Sequence, residues 1–405
     1  MFAVDVLKVL YAPHKVFKQI IQNPKYWGPI LILLLFAGAE TGLFFAQYSK
    51  MYYEETNPAL GQLTAWTDNP TLWTATPTGA AITANTADIM NTTFYGNNTL
   101  QFELSNSNSI TMTLSDFNGS VNCGPNGFKE FYMQIKVVEP ATSPSSGTLQ
   151  LFSSDGTNFF QYDLASTISN ASSTWNNYTI PVGTGNWQST GNPDWSNLKS
   201  LKLSLSFPGT SNMTLRIGGL FFRGLYQTPI EKGGAAGFLA NALFTGLFFF
   251  IVQWLAFAAV FYLMIKLMKG PVTWKPMFIS MAFALVAMVV ETLIVLAATL
   301  TLPSQIHYPF EFAIAYVPTY PAQIVASFST ASQTIYNSVI VPQFATYLTI
   351  QAIVTIATYA WISIIGAFII RAITEFTWAK SVLTSAASVV LTYIILSLLI
   401  AFGII

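Results

Sequence analysis

Five apolar runs constrain this chain more than any other feature, because each is about the twenty residues a helix needs to cross a bilayer. They are read at 28–47, about 237–265, 277–300, about 345–370 and 381–405. Between the first and second lies a polar stretch, residues 48–232, rich in Asn, Ser, Thr and Gly. The expected fold class is a membrane all-α part of five transmembrane helices, with an all-β sandwich or jelly roll inserted between helices one and two. Composition agrees. Only 8% of the 405 residues are charged and 52% are hydrophobic, far too few charges for a soluble fold of this size.

Composition also closes several function classes. The formal net charge is zero, so no basic surface points to nucleic acid. Cys123 is the one cysteine and His14 and His307 the only histidines, which leaves no disulfide framework and no Cys/His cluster for a metal or haem. There is no Walker-type Gly-rich loop, no Gly-x-Ser-x-Gly and no His-Glu-x-x-His. A nucleophile would have to borrow His14 or His307, which fall on opposite sides of the expected membrane. No catalytic residue, metal or cofactor is expected, and the chain is read as not an enzyme.

Basic residues set the expected orientation. Lys8, Lys15, Lys18 and Lys25 precede the first run; Lys266, Lys269 and Lys275 separate the second and third; Arg371 and Lys380 separate the fourth and fifth. Residues 301–343 hold no Lys or Arg. These groups share one side only if the N-terminus is cytoplasmic and residues 48–232 are extracellular, in a cell membrane crossed several times. The eight Lys/Arg of the long outer domain do not oppose this, since long domains translocate regardless of charge. The first run is preceded by 27 residues and shows no small-residue cleavage site, so it reads as a retained span rather than a signal peptide. Residues 1–27 alternate apolar and basic residues and are broken at Pro13, the pattern of helices lying in the cytoplasmic interface, with Tyr26 and Trp27 at anchoring depth, or of a short amphipathic helix packed on the other cytoplasmic loops. The proline-rich connection at 301–343 is read as a cap over the bundle or a re-entrant segment.

Within the outer domain, residues 48–90 lack periodicity and read as a stalk. From residue 99 the alternation is that of half-buried strands: Leu100–Phe102–Leu104, Ile110–Met112–Leu114, Phe131–Met133–Ile135–Val137, Leu149–Leu151, Leu201–Leu203–Leu205–Phe207 and Met213–Leu215–Ile217. At least seven such strands without a helix indicate a sandwich. The order resembles galactose-binding-like jelly rolls of carbohydrate-binding modules, on the stretches Trp175–Tyr178–Ile180, Trp195–Leu198–Leu201 and Ile217–Gly218–Gly219–Leu220–Phe221–Phe222. That resemblance implies solvent-facing aromatics stacking on sugar rings, with Trp175, Trp187 and Trp195 as candidates; the plain alternative is that they fill the core. Asn91, Asn97, Asn118, Asn170, Asn177 and Asn212 open Asn-x-Ser/Thr sequons, a number that the domain's composition alone accounts for.

Two carboxylates fall inside the runs, Glu40 and Glu291. Counting from the basic ends, Gln253, Tyr359 and Tyr393 lie at similar depth, so a polar layer is expected across all five helices. A buried acid in a membrane needs a partner or a water path. One reading is a proton- or cation-linked transporter or channel using Glu40 and Glu291; the other is carboxyl groups hydrogen-bonded between helices to hold the bundle. The sequence shows neither the internal repeats nor the broken helices common in transporters.

The membrane part resembles the Yip (Ypt/Rab-interacting protein) domain family of five-span proteins. The resemblance rests on Tyr11–Ala12–Pro13–His14–Lys15–Val16–Phe17–Lys18–Gln19–Ile20, then Asn23–Pro24, and on Trp361, Gly366, Glu375, Phe376, Trp378, Ala379 and Lys380 near the end. It covers residues 1–47 and 233–405. It implies a scaffold whose cytoplasmic loops meet protein partners. The inserted β-domain is not a usual family part, and Lys269–Gly270–Pro271–Val272–Thr273–Trp274 follows the family's second loop only loosely. The partners expected are therefore the lipid bilayer, a glycan or envelope protein outside, and proteins at the cytoplasmic loops.

Overall fold

The computed structural model describes residues 2–88, 98–153, 156–165, 167–168, 173–183, 185–314 and 332–403. The chain forms two compact units. One comprises Met1–Met51, Thr228–Ile306 and Val341–Ile405; the other comprises Tyr52–Gln227 and His307–Ile340.

In chain order the helices are α1 (Phe2–Tyr11), α2 (Pro13–Gln22), α3 (Trp27–Tyr48), α4 (Pro229–Gly233), α5 (Ala235–Leu267), α6 (Trp274–Ala284), α7 (Val286–Ala298), α8 (Phe310–Ile314), α9 (Val341–Ile373) and α10 (Trp378–Ala401). Five stretches are long and apolar enough to cross a membrane: Trp27–Tyr48, Ala235–Leu267, Trp274–Thr301, Ser332–Ile373 and Trp378–Ala401. All but the last reach beyond the bounds read from hydropathy at both ends, because helices continue past the apolar stretch. The fifth starts earlier, at a Thr377 cap whose side chain accepts from Lys380 N–H, and stops at Ala401, ahead of Gly403 at φ +64°.

The third stretch is the axis of the helical unit. In its most apolar window 72% is buried, against 28–39% in the other four. It is also interrupted: a single turn at Leu285 separates α6 from α7, with Met288 N–H bonded three residues back to Leu285 at 2.9 Å. The unbroken helix expected from the sequence is corrected here, since a 3₁₀-type step leaves hydropathy unchanged. Helix α3 packs antiparallel to α5: Phe36 meets Phe250 with ring centroids 5.3 Å apart, and Tyr48 meets Phe238 at 5.4 Å. Gly246 permits this approach, because a Cβ there would lie 3.1 Å from Ala37 Cα. One face of α10 is a buried stripe of Ser381, Thr384, Ser385, Ser388 and Thr392, the small residues that let membrane helices pack closely. Ser385 Oγ donates to Ser363 O of α9 at 2.6 Å. Val16, Phe17 and Ile20 of α2 are buried in the same core, so this amphipathic segment is packed on the bundle.

The β unit is an antiparallel sandwich of β1 (Met51–Asn57), β2 (Trp73–Thr76), β3 (Ala81–Asn85), β4 (Thr99–Leu114), β5 (Glu130–Glu139), β6 (Ser146–Phe152), β7 (Phe159–Asp163), β8 (Asn176–Pro181), β9 (Gln188–Thr190), β10 (Ser200–Gln227) and β11 (Ile306–Tyr308). Pairs of alternating runs read as separate strands are fused. Leu100–Leu104 and Ile110–Leu114 are both β4; Leu201–Phe207 and Met213–Phe222 are both β10. Each long strand shifts register midway, near Asn106–Ser107 and Ser206–Ser211, and so serves both layers. One layer runs β2–β4–β10–β6–β7–β9; the other runs β3–β4–β10–β5–β8 and continues through β1 to β11. The core between them is the alternating set read from the sequence, Phe102, Met112, Ile135, Leu149, Leu203 and Leu215 among its members.

Two expectations are corrected. Residues 48–90 are not a stalk. They supply β1, β2 and β3, and β1 was hidden because its buried positions are the polar Glu54 and Thr56. Nor is the described start of the 301–343 connection wholly a piece of the helical unit, to which only 301–306 belongs. His307–Ile314 belongs with the β unit, where Tyr308 stacks on Tyr53 at 4.7 Å and Phe310 packs on Phe221 at 5.6 Å.

Candidate functional site

The two outer faces of the sandwich differ. On the β3–β4–β10–β5 layer the outward row is Thr83–Gln101–Arg216–Lys136. Asp88 closes it: its carboxylate accepts from Lys136 Nζ at 2.8 Å, from the Arg216 guanidinium, and from Trp175 Nε1 at 3.1 Å. Partial burial opposes its charge, but the Lys136 and Trp175 hydrogen bonds and both cations hold the Asp88 carboxyl below the usual range. Further along, Phe221 lies beneath Phe310, whose ring faces the Arg223 guanidinium at 4.6 Å. Burial raises the pKa of Glu311, which lies 3.7 Å from Arg223. Asp88 and the segment at Phe310 cover part of this face, while Thr83, Glu103, Asn177 and Thr179 stay exposed.

The opposite layer carries an uncovered polar face. Strand register aligns Thr74, Thr113, Lys202, Gln150, Gln161 and Gln188 in one row across six strands. A second row is Thr76, Thr111, Ser204, Thr148 and Asp163; a third holds Ser200, Phe152, Phe159 and Thr190. With strands spaced about 4.8 Å apart, the first row spans roughly 24 Å. These polar side chains are half-buried or exposed. Gln150 Nε2 donates to Gln161 Oε1 at 2.8 Å, Thr111 and Ser204 share a hydrogen bond at 3.0 Å, and Lys202 Nζ sits 5.5 Å from the Phe152 ring. Amides and hydroxyls at strand spacing offer donors and acceptors together, the chemistry that a polyhydroxylated chain matches. The face lacks the large exposed aromatics that anchor protein interfaces.

The three tryptophans do not lie on it as open platforms. Trp187 is in the core, 8% exposed, with Nε1 donating to Pro181 O at 2.7 Å. Trp195 is half-buried, stacked on Phe160 with centroids 3.8 Å apart and edge-on to Trp187. Trp175 is half-buried and tied to Asp88 on the other face. The stacking role expected of Trp187 is therefore corrected: it fills the sandwich. The amide rows escaped the sequence reading because Gln, Thr and Ser on alternate positions are what any solvated strand face shows. Asn118, Asn177 and Asn212 are exposed, whereas Asn91, Asn97 and Asn170 lie outside the described residues.

The sandwich is similar to solved carbohydrate-binding modules. A family 11 module from Clostridium thermocellum, solved with a beta-1,3-1,4-mixed-linked tetrasaccharide, is 10% identical with a TM-score of 0.27; the match covers 38% of this chain and 90% of the module. A family 30 carbohydrate-binding module is 9% identical over 44% of this chain and 91% of its own length, TM-score 0.26. An exo-beta-agarase is 14% identical with a TM-score of 0.29, over 40% of this chain and 24% of the agarase. No protein-family model and no curated protein matches the chain.

In the helical unit, Thr292 Oγ1 donates to Glu40 Oε1 at 3.0 Å, and Thr355 Oγ1 donates to Glu291 Oε1 at 2.5 Å. The two carboxyl groups thus tie α3 to α7 and α7 to α9. Tyr359 and Tyr393 meet edge to face at 5.4 Å, with Tyr359 over Phe257 at 6.3 Å. Gln253 does not join Glu40. Phe36 faces Phe250, and Gly246 faces Glu40, so Gln253 lies seven residues, roughly 10 Å, towards the Lys266 end. Counting from the basic ends misplaced it because α5, with 33 residues, overhangs α3, with 22. Among the described residues no cluster of three or more His, Cys, Asp or Glu is placed to hold a metal.

Proposed function

We propose that this protein is a non-enzymatic integral membrane scaffold of the Yip-domain type, presenting its β-domain outside the cell to bind a glycan or an envelope protein. The observation that carries the glycan reading is the face of amides and hydroxyls crossing six strands, with Gln150, Gln161 and Lys202 in one row. Its poverty in aromatics favours a hydroxyl-rich ligand over a protein. The orientation is supported by most of the helical unit's basic residues, which lie at one end of it, with Lys50 and Lys232 at the other. At the first end Lys275 faces Tyr26 at 5.9 Å, Lys380 Nζ donates to Met268 O at 3.2 Å, and Arg371 stacks on Trp378 at 4.4 Å. Residues of the Yip resemblance meet at that same end: His14 approaches Phe368 at 6.4 Å, and Phe368 packs edge-on against Trp378 at 5.0 Å.

The full chain in detergent, applied to an oligosaccharide array, is expected to retain at least one glycan class. The double variant Gln150→Ala/Gln161→Ala then binds about tenfold more weakly, the worth of one or two hydrogen bonds. A wild-type chain that retains no glycan retires this reading and leaves the envelope-protein one.

The hydroxyl partners of Glu40 and Glu291 support a bundle-holding role. Glu40→Leu and Glu291→Leu are each expected to cost about 1 kcal/mol of helical-unit stability, the scale of interhelical hydrogen bonds in membranes. Reconstituted wild-type protein then passes protons and cations no faster than empty liposomes. Flux that Glu40→Gln/Glu291→Gln removes without loss of stability would establish a transporter instead.

A further inference from the structure

The polar face does not stop at the sheet edge. Ser115 and Ser200 lie two residues beyond Thr113 and Lys202, on the same outward face, and both line a hollow that ends at Asp116. On the other side of Asp116 lies a second pocket of about 500 Å³, within the range of small-ligand sites. Its walls are the segment from Asn57 to Leu72 and the turn at Asp116–Asn118. Asn57, Gln62, Asp116 and Asn118 bring amides and a carboxylate to it, while Trp66 and Leu72 give an apolar side.

The walls are fixed before any ligand arrives. Asp116 Oδ1 accepts from Asn118 N–H at 2.9 Å and Gly119 N–H at 3.4 Å, in a turn with Asn118 at φ +60° and Gly119 at φ +133°. Phe117 points inward, where its ring stacks on Trp66 at 4.6 Å, and the Trp66 carbonyl accepts from Trp73 Nε1 at 2.6 Å. A preorganised pocket loses little entropy on binding. Side-chain amides, whose NH2 donates and whose oxygen accepts, beside a carboxylate and an apolar wall suit a single pyranose, whose hydroxyls need both donors and acceptors and whose C–H face is apolar. A lipid or apolar peptide would leave those polar groups unpaired.

We propose that this pocket receives the terminal sugar ring of the chain lying along the polar face, so that the ligand is engaged by its end. The inference rests on the glycan reading above, and its test is separate. Full-length protein is made in a host without N-glycosylation, which keeps Asn118 bare, and is labelled with 5-fluorotryptophan. The Trp66 fluorine resonance, assigned with Trp66→Phe, is followed while D-glucose, D-galactose, D-mannose or N-acetylglucosamine is added to about 100 mM, the weakest useful affinity. At least one sugar is expected to shift it saturably. Asp116→Ala and Gln62→Ala, both exposed positions, should each weaken that sugar about tenfold, whereas Gln150→Ala/Gln161→Ala leaves the shift intact. No saturable shift with any of the four sugars, or a shift indifferent to both pocket variants, overturns the proposal. Loss of oligosaccharide retention in Gln150→Ala/Gln161→Ala bears only on the face.

Discussion

Arg223→Met should destabilise the β-domain by about 3–5 kcal/mol, the cost of stripping one partner from a buried ion pair. The side chain of Glu54 is completely buried. It accepts four hydrogen bonds: Arg223 Nε at 2.9 Å, Arg223 Nη2 at 3.2 Å, Gly224 N–H at 3.0 Å and Phe310 N–H at 3.0 Å. Arg223 is its one cationic partner among the described residues, and it also faces Glu130 at 3.4 Å and Glu311 at 3.7 Å. Burial works against the guanidinium charge, but Glu54 and Glu311 outweigh it and hold Arg223 protonated. Removing it strips the buried Glu54 carboxyl of its cation and of two hydrogen bonds beside two other acids, and the segment at Phe310 loses the cation above its ring. The measurement is a denaturant titration followed at the domain's own transition. A loss under about 1 kcal/mol would show that the Arg223 contacts contribute little to the domain. The double variant Glu54→Leu/Arg223→Met should recover much of the loss, because a neutral pair of similar volume carries no stranded charge.

Phe222→Ala comes next, with an expected cost of about 3–5 kcal/mol for a fully buried ring. Phe222 has no exposed surface and stands at the centre of an aromatic cluster, 5.1 Å from Phe131, 5.6 Å from Phe117 and 6.0 Å from Trp66. Two of those neighbours build the pocket at Asp116, so the variant should also lose the sugar-dependent shift of Trp66 even where it stays folded. Phe222→Leu keeps most of the volume and should cost less than half as much. Adjacent Phe221 points to the other side of the strand, onto Tyr132 at 4.7 Å and Phe310, and its replacement should loosen the His307–Ile314 segment while sparing Trp66. Limited proteolysis separates the two: cleavage near residue 310 rises in Phe221→Ala and not in Phe222→Ala. Equal cleavage in both variants would contradict the opposed facing.

Hydropathy and alternation carried far in some places and failed in others for identifiable reasons. Helices α3, α5, α9 and α10 were legible because an apolar run of that length has few other stable forms. The cores of β4, β5, β6 and β10 were legible because Leu, Ile, Met and Phe recur at every second position. β1 was not, since its buried side chains are the polar Glu54 and Thr56, and the burial of Glu54 rests on Arg223, about 170 residues away. The tryptophans left two readings open because an indole serves a core and a sugar platform equally well, and only neighbours such as Phe160 and Pro181 separate the roles.

Local composition was therefore enough to establish five apolar helices and a β-sandwich in the polar stretch after the first. What it could not reach were alignments made between distant strands: Gln150 beside Gln161 and Lys202, Asp116 shared by two hollows, Phe310 seated over Phe221. Burial of apolar surface is a property each residue carries with it, so it can be read along the chain. Juxtaposition depends on register, and a shift of one residue would turn every one of those amides inward.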